Sequence, residues 1–227
     1  MRSVCRNAKV VCIHPGVDVA AYSRPRSELI EKRLELGWPP GTFVVATIAR
    51  MEARRNQASV INAIAALRQK GVPVAYVCVG DGEERDKLQA LVEERGLGCW
   101  VRFPGTISEQ EKIVTYGASD LYVMASIQSG QTTEGFGIVF LEAAAAGVPS
   151  ICGNVGGQPE AVLHGKTGLV VDGRKLDDLE SAIQRLISDP ATRLKMGEAA
   201  RKWAQINDWT RVSAAVLAAI RHACAYS

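Results

Sequence analysis

The sequence has almost no excess of charge of one sign: 27 basic and 24 acidic residues leave a formal +3 over 227 residues. So weak a bias provides no broad field for nucleic acid or an acidic membrane surface, and any anion must be met by a local cluster. Long apolar runs are also missing. No window approaches the ~18 residues that a membrane span requires. The opening stretch MRSVCRNAKVVCI holds four consecutive apolar residues, short of a signal-peptide core. The six cysteines (Cys5, Cys12, Cys78, Cys99, Cys152 and Cys224) form no C-x-x-C pair, and the three histidines, His14, His164 and His222, are far apart. That excludes zinc-finger and thioredoxin-type spacings. Cys78, inside the apolar run VAYVCV, reads as a buried thiol, and free thiols suit a reducing cytoplasm, the expected compartment. Walker A, D-x-D, H-E-x-x-H and G-x-S-x-G are absent too, and the reaction classes they serve fall away.

What is present is a beat of short β-branched runs and helical patterns. Strands are expected at 43–49, 74–80, 100–103, 120–124, 149–152 and 168–171. A helix over about 56–70 shows Val60, Ile64 and Leu67 on one face, with Asn56 as N-cap and Gly71 and Pro73 as its stop. A charged helix follows with Leu88, Leu91 and Val92, and then one opened by a capping box of Ser108 and Glu111. Leu176, Leu179, Ile183 and Leu186 make a later stripe, Asp189-Pro190 opens the next helix, and the last begins near Trp209. Apolar strands separated by helices imply a parallel sheet covered on both faces. The expected fold is α/β: one Rossmann-like, doubly wound domain over 1–227, with its core at about 9–188 and C-terminal helices over 190–224.

Ligands of such sheets bind beyond the carboxyl ends of the strands. After 43–49 come Arg50, Arg54 and Arg55, three guanidinium groups beside a helix start. That arrangement is electrostatically awkward unless an anion joins it, though a solvated charged loop is the plainer reading. Gly80-Asp81-Gly82 begins like a dinucleotide fingerprint, but Arg85 stands where the third glycine belongs, which favours a simple turn. The richest segment runs from Glu134 through Gly135, Phe136, Gly137, Ile138 and Val139 to Glu142. Its glycines let a backbone approach a ligand, and the amides of about 136–139 form an anion cradle at a helix start. The two carboxylates flank that cradle, and an ionised carboxylate can take the hydrogens of a ribose diol or a sugar hydroxyl. A capping acid and a solvated helix residue are the alternative. Gly156-Gly157-Gln158-Pro159-Glu160 reads as a good turn into a helix.

In chain order, Ile13-His14-Pro15-Gly16-Val17-Asp18, Arg50 with a basic residue five further on, the Glu134 to Glu142 segment, Gly156 to Glu160, and Gly165-Lys166-Thr167-Gly168 carry a resemblance. Over about 9–210 the chain resembles the C-terminal half of retaining GT-B glycosyltransferases, and is similar to the bacterial family four that includes phosphatidylinositol mannosyltransferases. The resemblance implies that Arg50 and Arg55 contact a donor diphosphate with the amides of 136–139, that Glu134 contacts the donor sugar, and that Glu142 contacts the ribose. Gly105, Thr106 and Ile107 would meet the base through their backbone. Arg55 stands where the family usually has Lys, and the stretch 126–133 is longer than in many relatives. The implied donor is a hexose on UDP or GDP, bound without metal or cofactor, and transferred with retention and without a general base. The resemblance also implies an N-terminal acceptor-binding domain, in cis or in trans, that this chain lacks and through which any peripheral membrane contact would run. The rival readings are a non-catalytic sugar-nucleotide binding module and a GT-B-type sugar-nucleotide epimerase.

Overall fold

The computed structural model describes residues 10–130 and 132–225. The basic opening stretch with Cys5, and Gln131 in the 126–133 stretch, lie outside the described residues. Six strands, β1 (Phe43–Ile48), β2 (Val74–Val79), β3 (Val101–Gly105), β4 (Leu121–Met124), β5 (Ser150–Gly153) and β6 (Gly168–Val171), form one sheet in the order β3-β2-β1-β4-β5-β6. Every pairing is parallel. The expected doubly wound α/β sheet is therefore present, with strand ends displaced by at most two residues.

Helices cover both faces: α1 (Arg26–Glu35), α2 (Gln57–Gln69), α3 (Arg85–Glu94), α4 (Glu109–Gly117), α5 (Ile138–Ala145), α6 (Gln158–Ala161), α7 (Leu176–Ser188), α8 (Pro190–Ile206) and α9 (Trp209–Ala225). Successive residues of β1 point to opposite faces. Val45 joins Tyr76, Cys78, Val123 and Ile151 beneath α2 and α7. Val44 and Ala46 join Val77, Tyr122, Met124 and Cys152 beneath α4, α5 and α8. Each larger apolar side chain removed from water contributes ~1.5–3 kcal/mol, so the two layers hold the strand ends firmly. Cys78 is wholly buried as expected, and burial pushes its thiol up to about 12.

Local signals explain most element ends. The Ser108 hydroxyl accepts from the Glu111 amide at 3.2 Å while the Glu111 carboxylate accepts from the Ser108 amide at 2.9 Å, completing the capping box of α4. Asp189 accepts from the Thr192 amide at 2.9 Å and Pro190 fills the first turn of α8. Asn56 precedes α2 as expected, but its side chain makes no cap. Its backbone is left-handed (φ 62°, ψ 33°), away from the extended geometry a capping side chain needs. Helix α1 has no counterpart in the sequence reading. No residue of it is fully buried, so its apolar stripe is too thin to stand out. No helix among the described residues is long and apolar enough to cross a membrane.

Candidate functional site

Strand order reverses between β1 and β4. The chain leaves these neighbours in opposite directions, so a crevice opens above their carboxyl ends. The turn after β1 supplies one wall, with Arg50 and a short 3-10 turn over Ala53–Arg55. The loop between β4 and α5 supplies the other, with Glu134. The walls are tied together: Ile127 donates its amide to the Arg54 carbonyl at 2.9 Å, and Asn56 Nδ2 donates to the carbonyls of Ala125 (3.0 Å) and Gly173 (2.6 Å).

The three arginines are joined by anions of the protein's own. Glu52 Oε2 accepts from Arg54 Nε at 2.8 Å, and Arg50 Nε lies 3.3 Å from Glu52 Oε1. Across the crevice, Glu134 Oε2 accepts from Arg54 Nη1 at 3.2 Å and from Arg55 Nη1. The Glu134 side chain is 10% exposed and that of Arg55 16%, whereas Arg50 is 74% exposed. Burial, followed by the positive charge of Arg54, lowers the pKa of Arg55 against the opposing pull of Glu52. Arg55 Nε is buried without a hydrogen-bond partner among the described residues, 3.9 Å from Glu52 Oε2. The Ser126 hydroxyl at the end of β4 is likewise buried and unpartnered among them.

Glu134 is propped by the second glycine turn, which sequence alone left as a turn. Gly157 donates its amide to the carbonyls of Glu134 (3.3 Å) and Gly135 (3.1 Å). Gly156 has φ 61°, and a Cβ there would lie 2.0 Å from the Glu134 carbonyl oxygen, so only glycine fits. Buried Gln158 locks this turn, accepting from the Gly153 amide at 3.2 Å and donating to the Val155 carbonyl at 3.0 Å. Helix α5 starts later than the 136–139 cradle implied. Gly137 is its N-cap, and the Phe140 amide is taken by the Gly137 carbonyl at 3.0 Å. The amides at this helix start that have no partner within the helix's own first turn are those of Ile138 and Val139. The Phe136 ring stacks on His14, 4.4 Å between centroids.

Glu142, one turn into α5, reaches toward α4. Its Oε1 accepts from Lys112 Nζ at 2.8 Å and its Oε2 from the Tyr116 hydroxyl at 2.9 Å. Burial pulls the Lys112 ammonium down, but hydrogen bonds to Glu142 and Glu109 outweigh it and the pKa is raised. Gly105 ends β3 and its carbonyl accepts from the Gly80 amide at 2.9 Å. Thr106 is exposed, and Ile107 packs on the core beside a cavity of about 380 Å³. The Gly80-Asp81-Gly82 turn clasps the loop after β1, the Asp81 carbonyl accepting from the Met51 amide at 2.9 Å. It is a structural turn. Gly165 to Thr167 precede β6 and Gly168 opens it, so this stretch lies at the opposite end of the sheet from the crevice.

Thus Arg54, Arg55 and Glu134 meet, Arg50 stands at the rim, and Glu142 and Gly105 to Ile107 flank them on the α4 side. Sequence reasoning left Glu52, Lys112, Tyr116 and Gln158 unassigned. Glu52 was within reach, because it lies among the arginines in sequence. Lys112 and Gln158 were not, since their partners depend on the fold. Among the described residues no group of three or more His, Cys, Asp or Glu is placed to hold a metal ion.

Residues 30–203 match the family model described as glycosyl transferases group 1. The chain belongs to that family. This group 1 chain is 38% identical over 202 residues to a GDP-mannose-dependent alpha-(1-6)-phosphatidylinositol monomannoside mannosyltransferase of Mycobacterium tuberculosis, covering 86% of itself and 51% of the relative. It is 33% identical to a D-inositol 3-phosphate glycosyltransferase of Corynebacterium glutamicum, covering 91% and 50%. Among solved structures it superposes on Anabaena HepE in complex with UDP and glucose with a TM-score of 0.82 and 26% identity, over 92% of this chain and 56% of that one. The chain spans about half the length of the curated relatives it matches.

Proposed function

We propose that residues 1–227 form one unit that binds a nucleoside diphosphate hexose, UDP- or GDP-linked, across the crevice between β1 and β4. The observation that carries this reading is the meeting of Arg54, Arg55 and Glu134 where the strand order reverses. GDP-mannose in the names of the mycobacterial relatives and UDP with glucose in the HepE complex support the donor class. In this reading the diphosphate lies over the arginines and the start of α5, Glu134 meets the sugar, Glu142 the ribose, and Gly105 to Ile107 the base. Arginines and helix amides supply the countercharge that a metal ion supplies elsewhere.

Transfer would break the bond between the anomeric carbon and the diphosphate oxygen. Negative charge grows on the diphosphate, where the guanidinium groups stabilise it, and positive charge at the anomeric carbon, where the Glu134 carboxylate opposes it. An acceptor hydroxyl then bonds to the same face of that carbon, and its proton passes to the departing phosphate oxygen. Retention results, and no general base of this chain is needed. The acceptor is held by an N-terminal half, in cis or in trans; that the chain spans about half the length of its relatives supports a second half of this kind.

Product analysis with radiolabelled UDP-glucose and GDP-mannose, with the N-terminal half of a relative supplied as a separate chain, tests the reading. Sugar transferred with retained configuration is the expected result. Epimerised donor, or binding without any turnover, would replace it with one of the rival readings.

A further inference from the structure

Nη1 of Arg54 and Nη1 of Arg55, donors that a diphosphate in the crevice would seek, are engaged by Glu134. We infer that Glu134 is an internal competitor for the donor phosphates, which makes the crevice favour a sugar nucleotide over the bare nucleoside diphosphate. The inference rests on the donor reading above and deepens it. A diphosphate and the Glu134 carboxylate cannot share the same N–H groups, because the donors are finite and the anions repel. A diphosphate that takes these N–H groups turns the carboxylate away.

The backbone of Glu134 does not give way easily. Its carbonyl accepts from the Gly157 amide and lies so near Gly156 that no Cβ would fit between them, so release is a rotation of the side chain. What happens next depends on the ligand. With a sugar present, the released carboxylate accepts hydrogen bonds from sugar hydroxyls and stays satisfied. With a bare nucleoside diphosphate the carboxylate, 10% exposed where it meets the arginines, loses its cations and gains a neighbouring anion with no sugar hydroxyl in exchange, which is costly for a charge so little exposed. The group that steadies the donor thus penalises the nucleotide left behind and helps to expel it. Arg55 fits this exchange: its Nε is buried without a hydrogen-bond partner among the described residues while Nη1 serves Glu134. A bidentate phosphate would use a fork that the carboxylate engages at one nitrogen.

Titration calorimetry of the chain and of Glu134→Gln with UDP, GDP, UDP-glucose and GDP-mannose tests the inference, with circular dichroism melting to verify the fold. Glutamine keeps the shape and removes the negative charge. The variant should bind the favoured nucleoside diphosphate about tenfold more tightly, while its sugar nucleotide gains nothing or weakens, so that the preference for the sugar nucleotide falls at least tenfold. Should Glu134→Gln fail to fold, Glu134→Asp, retracted by one methylene, should move the preference in the same direction. Nucleoside diphosphate bound by the variant and not by the chain itself would support the competition at its extreme. Unchanged or weakened nucleoside diphosphate binding by a folded variant overturns the competition and leaves the donor reading intact. Failure of both proteins to bind any of the four nucleotides overturns the donor reading and this inference with it.

Discussion

Glu142 accepts a hydrogen bond from the hydroxyl of buried Tyr116 at 2.9 Å, so the carboxylate proposed for the ribose is anchored to α4 by its own fold. Its second oxygen is paired with Lys112. Each carboxylate oxygen can accept a further hydrogen, so the anchored group remains available to a diol. Replacing Glu142 by alanine should weaken nucleotide binding by ~1–3 kcal/mol, the range for hydrogen bonds to a charged group. Lys112 keeps Glu109 as partner at 2.9 Å, while the buried Tyr116 hydroxyl loses this acceptor, so stability should fall by ~1–3 kcal/mol with the domain still folded. With a 2′,3′-dideoxy nucleotide, the variant and the parent should bind almost alike, and an undiminished gap there would remove Glu142 from the diol role.

Gly156→Ala should perturb both stability and the site. Its backbone is left-handed, and the new Cβ would meet the Glu134 carbonyl oxygen at 2.0 Å. Strain of this kind costs ~1–3 kcal/mol, to be read as a lowered midpoint in urea. Nucleotide affinity should fall along with it. Full affinity at reduced stability would separate the turn from the position of Glu134.

Stability should decline on the alkaline side. Burial, with help from neighbouring Tyr122 and Glu142, raises Tyr116 well above its ordinary 10.0. Burial and the charge of Glu142 also raise Tyr22 and Tyr122, and Lys112 is raised from 10.5. The unfolded chain then releases these protons first, so the stability linked to them is complete below about pH 10 and is lost as pH rises toward the folded values. Urea unfolding between pH 8 and 11 should show this fall, and Tyr116→Phe should reduce its slope. A flat profile in the parent would contradict the placement of these groups.

Much of the fold could be read from the sequence because its strands are nearly continuous apolar runs and its helices carry conventional ends. The Ser108 and Glu111 box and Asp189-Pro190 are local signals, complete within four residues. Helix α1 escaped because it buries no residue fully. Arg55, Glu134 and Glu142 stood out by residue type and spacing, yet their partners did not. The pairing of Arg55 with Glu134 spans 79 positions and exists only because β1 and β4 are neighbours. Sequence argued that the arginines needed an anion, and the fold supplies Glu52 and Glu134. Asn56 shows the reverse case: its residue type announced a cap, but a left-handed backbone redirected the side chain to the Ala125 and Gly173 carbonyls.

The most direct measurement is a calorimetric titration of this chain with UDP and with GDP in EDTA, repeated with Arg55→Ala and at two salt concentrations. The account predicts one-to-one binding of at least one nucleotide without metal. It also predicts weaker binding at higher salt, because charge pairing supplies much of the affinity, and a large loss in the variant. Binding that appears only after Mg²⁺ or Mn²⁺ is added, or that is indifferent to Arg55→Ala, would contradict it.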